Sequence, residues 1–175
     1  MSSSPALATP LLNRTTLHEG YDSTRPVSSA DQQLLLDAAN SAPTGGDQRA
    51  LAFFAVSDRP TLDALSRAHA NFTAPASAPL VIVIAGNRPA ARYPELLDFD
   101  AGAAAMAICV EAADRGLTTC CMSIAPQYDR MYHVAEALGI SMAANDPALD
   151  PLMMVAVGYP APDVVSSASV TARNA

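Results

Sequence analysis

Asn40-Ser41-Ala42-Pro43-Thr44-Gly45-Gly46-Asp47 joins the end of an amphipathic helix to a short apolar strand through small and turn-forming residues. Pro43 removes a backbone donor and stops the helix, while Gly45 and Gly46 can take positive φ, so main-chain N–H groups can approach a ligand with no Cβ between. A loop of this kind can wrap a planar ligand. Alone it is only a turn; its weight comes from companions in chain order: Arg14-Thr15-Thr16, an alanine-rich stretch 98–115, Gly116-Leu117-Thr118-Thr119-Cys120, and Val157-Gly158-Tyr159-Pro160. Cys120-Cys121 invites a redox reading. Neighbouring strand residues face opposite sides, however, and a reactive thiol needs an electropositive, accessible setting, so no catalytic thiol is expected. His18, His69 and His133 have no i, i+4 partner and no cysteine pair at zinc spacing, so no metal site is expected either. The absence of a Gly-x-Gly-x-x-Gly after the first strand and of a Walker-type loop argues against a dinucleotide domain and against phosphoryl transfer. Asp98, Asp100 and Glu111 could pass for paired catalytic carboxylates; their place at a helix start favours Asp98 or Asp100 as a cap, with the other solvated.

The elements that must position these groups are legible in outline. Val27 stands at a staple position, Ser28 at a cap and Asp31 three residues on, and Leu34, Leu35, Ala38 and Ala39 form the apolar stripe of a helix running to about Ser41. Residues 51–56 read as a strand, Ser57/Asp58 as a cap, and 60–70 as a helix. Leu80–Ala85 is β-branched and uninterrupted, as expected of a strand covered on both faces, and the loop Asn87–Pro94 is a candidate lid. The helix 98–115 is apolar or small around nearly its whole girth, which predicts burial on all sides, close approach of another helix at its alanines, and an end at Gly116. A strand at 118–124, a helix at 126–138 ended by Gly139, and a strand at 152–157 complete the chain. The fold class is α+β, a sheet between helices, with a flexible arm over 1–10, one domain over 11–160 and a tail over 161–175.

Bulk properties narrow the partners. A chain of 175 residues suits one domain. With 50% hydrophobic but only 15% charged residues, some apolar surface is expected to meet a second subunit. A net charge of −7 provides no basic patch, so nucleic acid is not an expected partner. Three cysteines are too few for a disulfide framework and suit a reducing compartment, giving a cytoplasmic expectation. No apolar run approaches the roughly 18–20 residues that span a bilayer, and no leader is signalled.

In order and spacing, these segments over residues 11–160 resemble the nitroreductase-like flavoprotein family. The resemblance implies a three-layer sandwich with a central mixed sheet, assembled as a homodimer that binds two FMN at its interface. Arg14, Thr15, Thr16 and His18 resemble the motif that holds flavin phosphate and the polar ring edge, with His18 at a position usually filled by a second Arg. Pro43, Thr44, Gly45, Asp47 and Arg49 resemble the Ala-Pro-Ser-x-Gly-Asn-x-Gln-Pro-Trp loop against the ring. Here Asp47 replaces the amide, Arg49 the glutamine and Ala50-Leu51 the Pro-Trp pair; Asp47 and Arg49 either face the ring or pair with each other. Backbone donors near Met122 and Ser123 would bond flavin N5 and O4. Arg173 would be the downstream basic residue completing phosphate binding, or else part of a solvated tail.

The resemblance implies FMN-dependent reduction of nitroaromatics, quinones or similar electrophiles by NAD(P)H in a ping-pong cycle, with no side chain acting as acid or base. Two alternatives stand beside it: a flavin-binding or cofactor-poor dimeric member without nicotinamide-driven turnover, and a flavin enzyme that oxidises a peptide or small metabolite without nicotinamide.

Overall fold

The computed structural model describes residues 8–142, 148–162 and 164. In chain order the elements are α1 (Ala8–Asn13), α2 (Ser29–Ser41), β1 (Leu51–Val56), α3 (Arg59–Arg67), β2 (Leu80–Asn87), α4 (Leu97–Asp114), β3 (Thr118–Ser123), α5 (Tyr128–Leu138) and β4 (Leu149–Gly158). Helix α1 occupies part of the expected flexible arm and lies against α4. The remainder of that arm, residues 1–7, and most of the expected tail, including Arg173, lie outside the described residues.

The sheet has strand order β1-β2-β4-β3, and every neighbouring pair is antiparallel. This corrects the expectation of a mixed sheet: the parallel element is one isolated bridge, Thr16↔Thr119, where the N-terminal segment docks on β3. The uninterrupted β2 owes its composition to helices on both of its faces and not to a parallel neighbour. Leu80, Ile82 and Ile84 point into a core shared with Leu35 and Ala39 of α2 and Leu97, Ala101, Ala104 and Ile108 of α4. Val81 and Val83 point into a second core with Leu62 and Leu65 of α3, Val134 of α5, and Met154, Ala156 and Cys120. The period of two along β2 sorts these side chains, and each fully buried branched residue contributes about 1.5–3 kcal/mol relative to exposure.

Pro151 in β4 cannot donate to the ladder, and the register slips beside it, Ile84 pairing with Met153 and Ala85 with Pro151. The extra residue, Leu152, turns its carbonyl to Ile124 N and Ala125 N at 2.9 and 3.0 Å, which fixes the end of β3.

Helix α2 begins as its sequence predicts. Ser28 Oγ accepts from Asp31 N at 3.1 Å and donates to Asp31 Oδ2 at 2.6 Å. The Ser28 hydroxyl, and then Arg115, hold the Asp31 carboxyl below its usual range. Arg115 donates to Glu111 at 2.7 Å and to Asp31 at 2.9 Å, so the end of α4 is pinned to the start of α2, and Glu111 is a structural partner. Two expectations for α4 are corrected. Neither Asp98 nor Asp100 caps it, since Leu96 holds the cap position. Nor is it enclosed on all sides in the single chain: Phe99 and Met106 are 75% and 45% exposed, opposite the buried alanines.

Candidate functional site

The segment 14–18 is held against β3 by its backbone. Leu17 N donates to Thr119 O at 3.0 Å and Thr119 N to Thr15 O at 3.4 Å. The Thr15 and Thr118 hydroxyl oxygens lie 2.8 Å apart, and Thr118 Oγ1 also donates to Thr15 O at 3.3 Å, so Thr15 donates its own proton to Thr118 and is committed to the fold. Thr16 stays exposed, with an Arg14 guanidinium nitrogen 3.5 Å from its oxygen. Arg14 Nε is enclosed and has no hydrogen-bond partner among the described residues. His18 turns away, its Nδ1 3.4 Å from Cys120 Sγ, which belongs to the core beneath α3 and α5.

The loop 43–49 is anchored from the opposite end of α4. Gly45 N donates to Asp100 Oδ1 at 2.8 Å, and Gln48 Nε2 donates to Asp100 Oδ2 at 2.6 Å. Gln48 also bonds Tyr93 twice, accepting from its N–H at 2.9 Å and donating to its carbonyl at 3.3 Å. One amide thus ties three segments together, and the loop Asn87–Pro94, expected as a lid, is joined to loop 43–49 through Tyr93. Thr44 Oγ1 accepts from Arg49 N at 3.1 Å. Gly46, Asp47 and Arg49 have φ of 60°, 53° and 48°, left-handed values that cost little at glycine and more at the other two. The space beside Gly45 and Gly46 is filled: a Cβ there would collide with Leu96 and Tyr93 respectively. These glycines serve the packing of the loop onto 93–96, and the Gly45 N–H is spent on Asp100. Asp47 and Arg49 form an exposed ion pair at 2.9 Å.

Met122 and Ser123 differ. Ile124 N donates to Leu152 O in β4, so strand alternation turns Met122 N–H toward β4 as well, whereas Ser123 N–H points to the open edge of β3. Met122 is buried and Ser123 exposed, with Ser123 O accepting from Arg130 at 3.3 Å. Of the two expected donors, Ser123 is the one the fold leaves facing outward.

Helix α4 therefore serves both halves of the site. Asp100 holds the loop, and nine residues on, about 13 Å along the axis, Cys109 lies in the region reached by the Arg14 charge. Among the described residues, no hydrogen bond links segment 14–18 directly to loop 43–49. Asp100, Gln48 and Tyr93 were not singled out as a site by sequence reasoning; their partners lie 45–55 residues away, beyond any local pattern. A surface hollow between α3 and α5, beside Arg67, His133 and Glu136, contains none of the expected site residues.

Cys109 Sγ lies 3.3 Å from Cys121 Sγ and 3.4 Å from the Thr119 hydroxyl. The bond from Cys121, then the Thr119 hydroxyl and the Arg14 charge, draw Cys109 down to about 7. Cys121 is pushed up by its bond to Cys109 and by burial of its sulfur. Burial raises Tyr21, whose hydroxyl has no partner among the described residues.

An antiparallel sheet between helices, with an arginine-bearing segment on one edge strand and a glycine loop tied to the central helix, defines the class, and the comparisons agree. The chain belongs to the Nitroreductase family, whose sequence model matches residues 61–159. That membership assigns it to the flavin oxidoreductases as a class. Among solved structures, a protein of Bacteroides thetaiotaomicron provisionally assigned as an NADH dehydrogenase/NAD(P)H nitroreductase superposes with a TM-score of 0.80 at 27% identity, over 91% of this chain and 89% of that one. A provisionally assigned NADH oxidase of Clostridium acetobutylicum gives 0.79 at 26% identity, over 87% and 88%. A nitroreductase-like protein of Desulfovibrio desulfuricans, solved in complex with FMN, shares the fold with a TM-score of 0.77 at 20% identity, over 91% and 88%. No curated protein sequence matches the chain significantly.

Proposed function

We propose that this protein is an FMN-dependent NAD(P)H oxidoreductase that reduces nitroaromatics, quinones or similar electrophiles in a ping-pong cycle, working as a three-layer homodimer in the cytoplasm. The observation that carries the reading is Arg14: its guanidinium has an enclosed nitrogen without a partner among the described residues, on a segment docked beside β3. An arginine in that state is ready to receive a phosphate through two charge-assisted bonds. Arg14 and Thr16 would hold the phosphate, Ser123 N–H would orient the ring edge, and Pro43, Thr44 and the Asp47–Arg49 pair would line its far side. Bound there, FMN would supply hydride acceptance and donation. Because Asp47 is neutralised by Arg49, its charge would act only weakly on the ring. Neither donor nor electrophile needs a side-chain acid, and none of the described carboxylates is arranged as a catalytic pair: Asp100 holds the loop, Asp98 is exposed and Glu111 bonds Arg115. Among the described residues, no helix is long and apolar enough to cross a membrane.

The visible spectrum of the purified protein tests the reading. Flavin absorption bleached by NADH or NADPH, and restored by a quinone or nitroaromatic, is the expected result; a colourless protein that ignores added FMN would overturn it. The Asp47–Arg49 pair, standing where the family resemblance places an amide, favours one second reading, a flavin-binding dimer without nicotinamide-driven turnover. Its signature is a yellow protein that neither nicotinamide bleaches.

The homodimer is argued from α4. Phe99 and Met106 are exposed, and Gly102 has nothing within 4 Å of a would-be Cβ, so this side of the helix is apolar, narrow and open to a second copy. Sedimentation should show a dimer at micromolar concentration, and Phe99→Glu should shift it toward monomer; a wild-type monomer at that concentration would remove the dimer from the reading.

A further inference from the structure

The three cysteines are sorted by the fold into a pair and a single. Thr119 and Cys121 lie two residues apart on β3 and face α4, while Cys120 between them faces the other core. Cys109 reaches from α4 to meet the first two, with its sulfur 3.3 Å from that of Cys121 across only 12 residues of sequence. A disulfide bond is about 2.05 Å long, so the sulfurs need approach by only about 1.3 Å. The residues differ in exposure, Cys109 being buried and Cys121 exposed, while the contact between their sulfurs is itself partly buried. The Arg14 charge acts on both sulfurs, as the smallest of the influences on each, and its Nε has no hydrogen-bond partner among the described residues.

We propose that Cys109 and Cys121 form a peroxide-oxidised dithiol site whose product is an intramolecular disulfide tying α4 to β3. Cys121, the more exposed residue of the two, attacks one oxygen of hydrogen peroxide as its proton passes to the Cys109 thiolate across their contact. The O–O bond breaks, and the departing hydroxide takes a proton from solvent and leaves as water. Cys109 then attacks the resulting sulfenic sulfur; the S–O bond breaks, and the hydroxyl leaves with the Cys109 proton as a second water. In net terms two thiols and one peroxide give one disulfide and two waters, the two electrons passing from sulfur to the O–O bond. Thr119 and Arg14 are positioning groups for the thiolate.

The test uses the full reduced chain treated with one equivalent of hydrogen peroxide, alkylated under denaturing conditions and mapped by mass spectrometry. The expected result is a disulfide joining residues 109 and 121 within one chain, reversed by dithiothreitol, with Cys120 alkylated. In Cys109→Ser, which removes both the proton acceptor and the partner sulfur, Cys121 should remain alkylated after the same peroxide treatment. Alkylation of both Cys109 and Cys121 in the peroxide-treated wild type, a disulfide through Cys120, or one between two chains would each overturn the proposal.

Discussion

Replacing Arg14 by alanine should weaken FMN binding by about a hundredfold, the equivalent of 2–3 kcal/mol for a lost two-bond contact between guanidinium and phosphate. The structure explains why the loss should be that large. Arg14 is already half enclosed, its Nε already lacks a partner, and its segment is fixed by two backbone bonds to β3, so much of the ordering cost is met before ligand arrives. Arg14→Lys should recover only part of the affinity, because a point charge replaces a planar fork. Fluorescence titration with FMN measures both variants. Equal dissociation constants for wild type and Arg14→Ala would place the phosphate elsewhere.

Replacing Asp100 by alanine should destabilise the protein by about 3 kcal/mol, since it strips the Gly45 N–H and the Gln48 amide of acceptors within the packed loop. At this chain length that corresponds to a fall in Tm of roughly 6–12 °C. The asparagine variant is the more discriminating test. Gln48 cannot rotate its amide, because Oε1 accepts from Tyr93 N while Nε2 donates to Tyr93 O. An asparagine that keeps its oxygen on Gly45 N must therefore set its NH2 against the NH2 of Gln48, and it too should lose stability, by about 1–3 kcal/mol. Calorimetry on the three proteins measures the order wild type, asparagine, alanine. A Tm for Asp100→Asn equal to that of wild type would mean that Gln48 does not link the loop to α4.

Local signals in the chain determined much of the fold. Ser28 with Asp31, Asp58 before α3 and Gly139 after α5 mark helix ends through bonds made within a few residues, and all three act where the pattern places them. Strand β1 matches its apolar run residue for residue, and β2 contains the uninterrupted run 80–85 and extends two residues past it, to Asn87. The arginine segment, the proline-glycine loop and the strand after Gly116 were likewise recognisable, which is why the family was legible before the structure.

Tertiary structure decided what those residues do. Strand direction depends on which strands become neighbours, so a β2 buried on both faces carried no information about parallel or antiparallel pairing. Asp100 looked like a cap because its type and place suit one, but a partner 55 residues away claims it. Gln48 drew no notice because an amide shows its meaning only through the geometry of its partners. Cys109 and Cys121 seemed unrelated, being 12 residues apart with a turn between; a helix and a strand folded face to face bring their sulfurs together. In each case the deciding interaction joins groups distant along the chain, and its energy depends on ångström-scale placement that composition and periodicity do not encode.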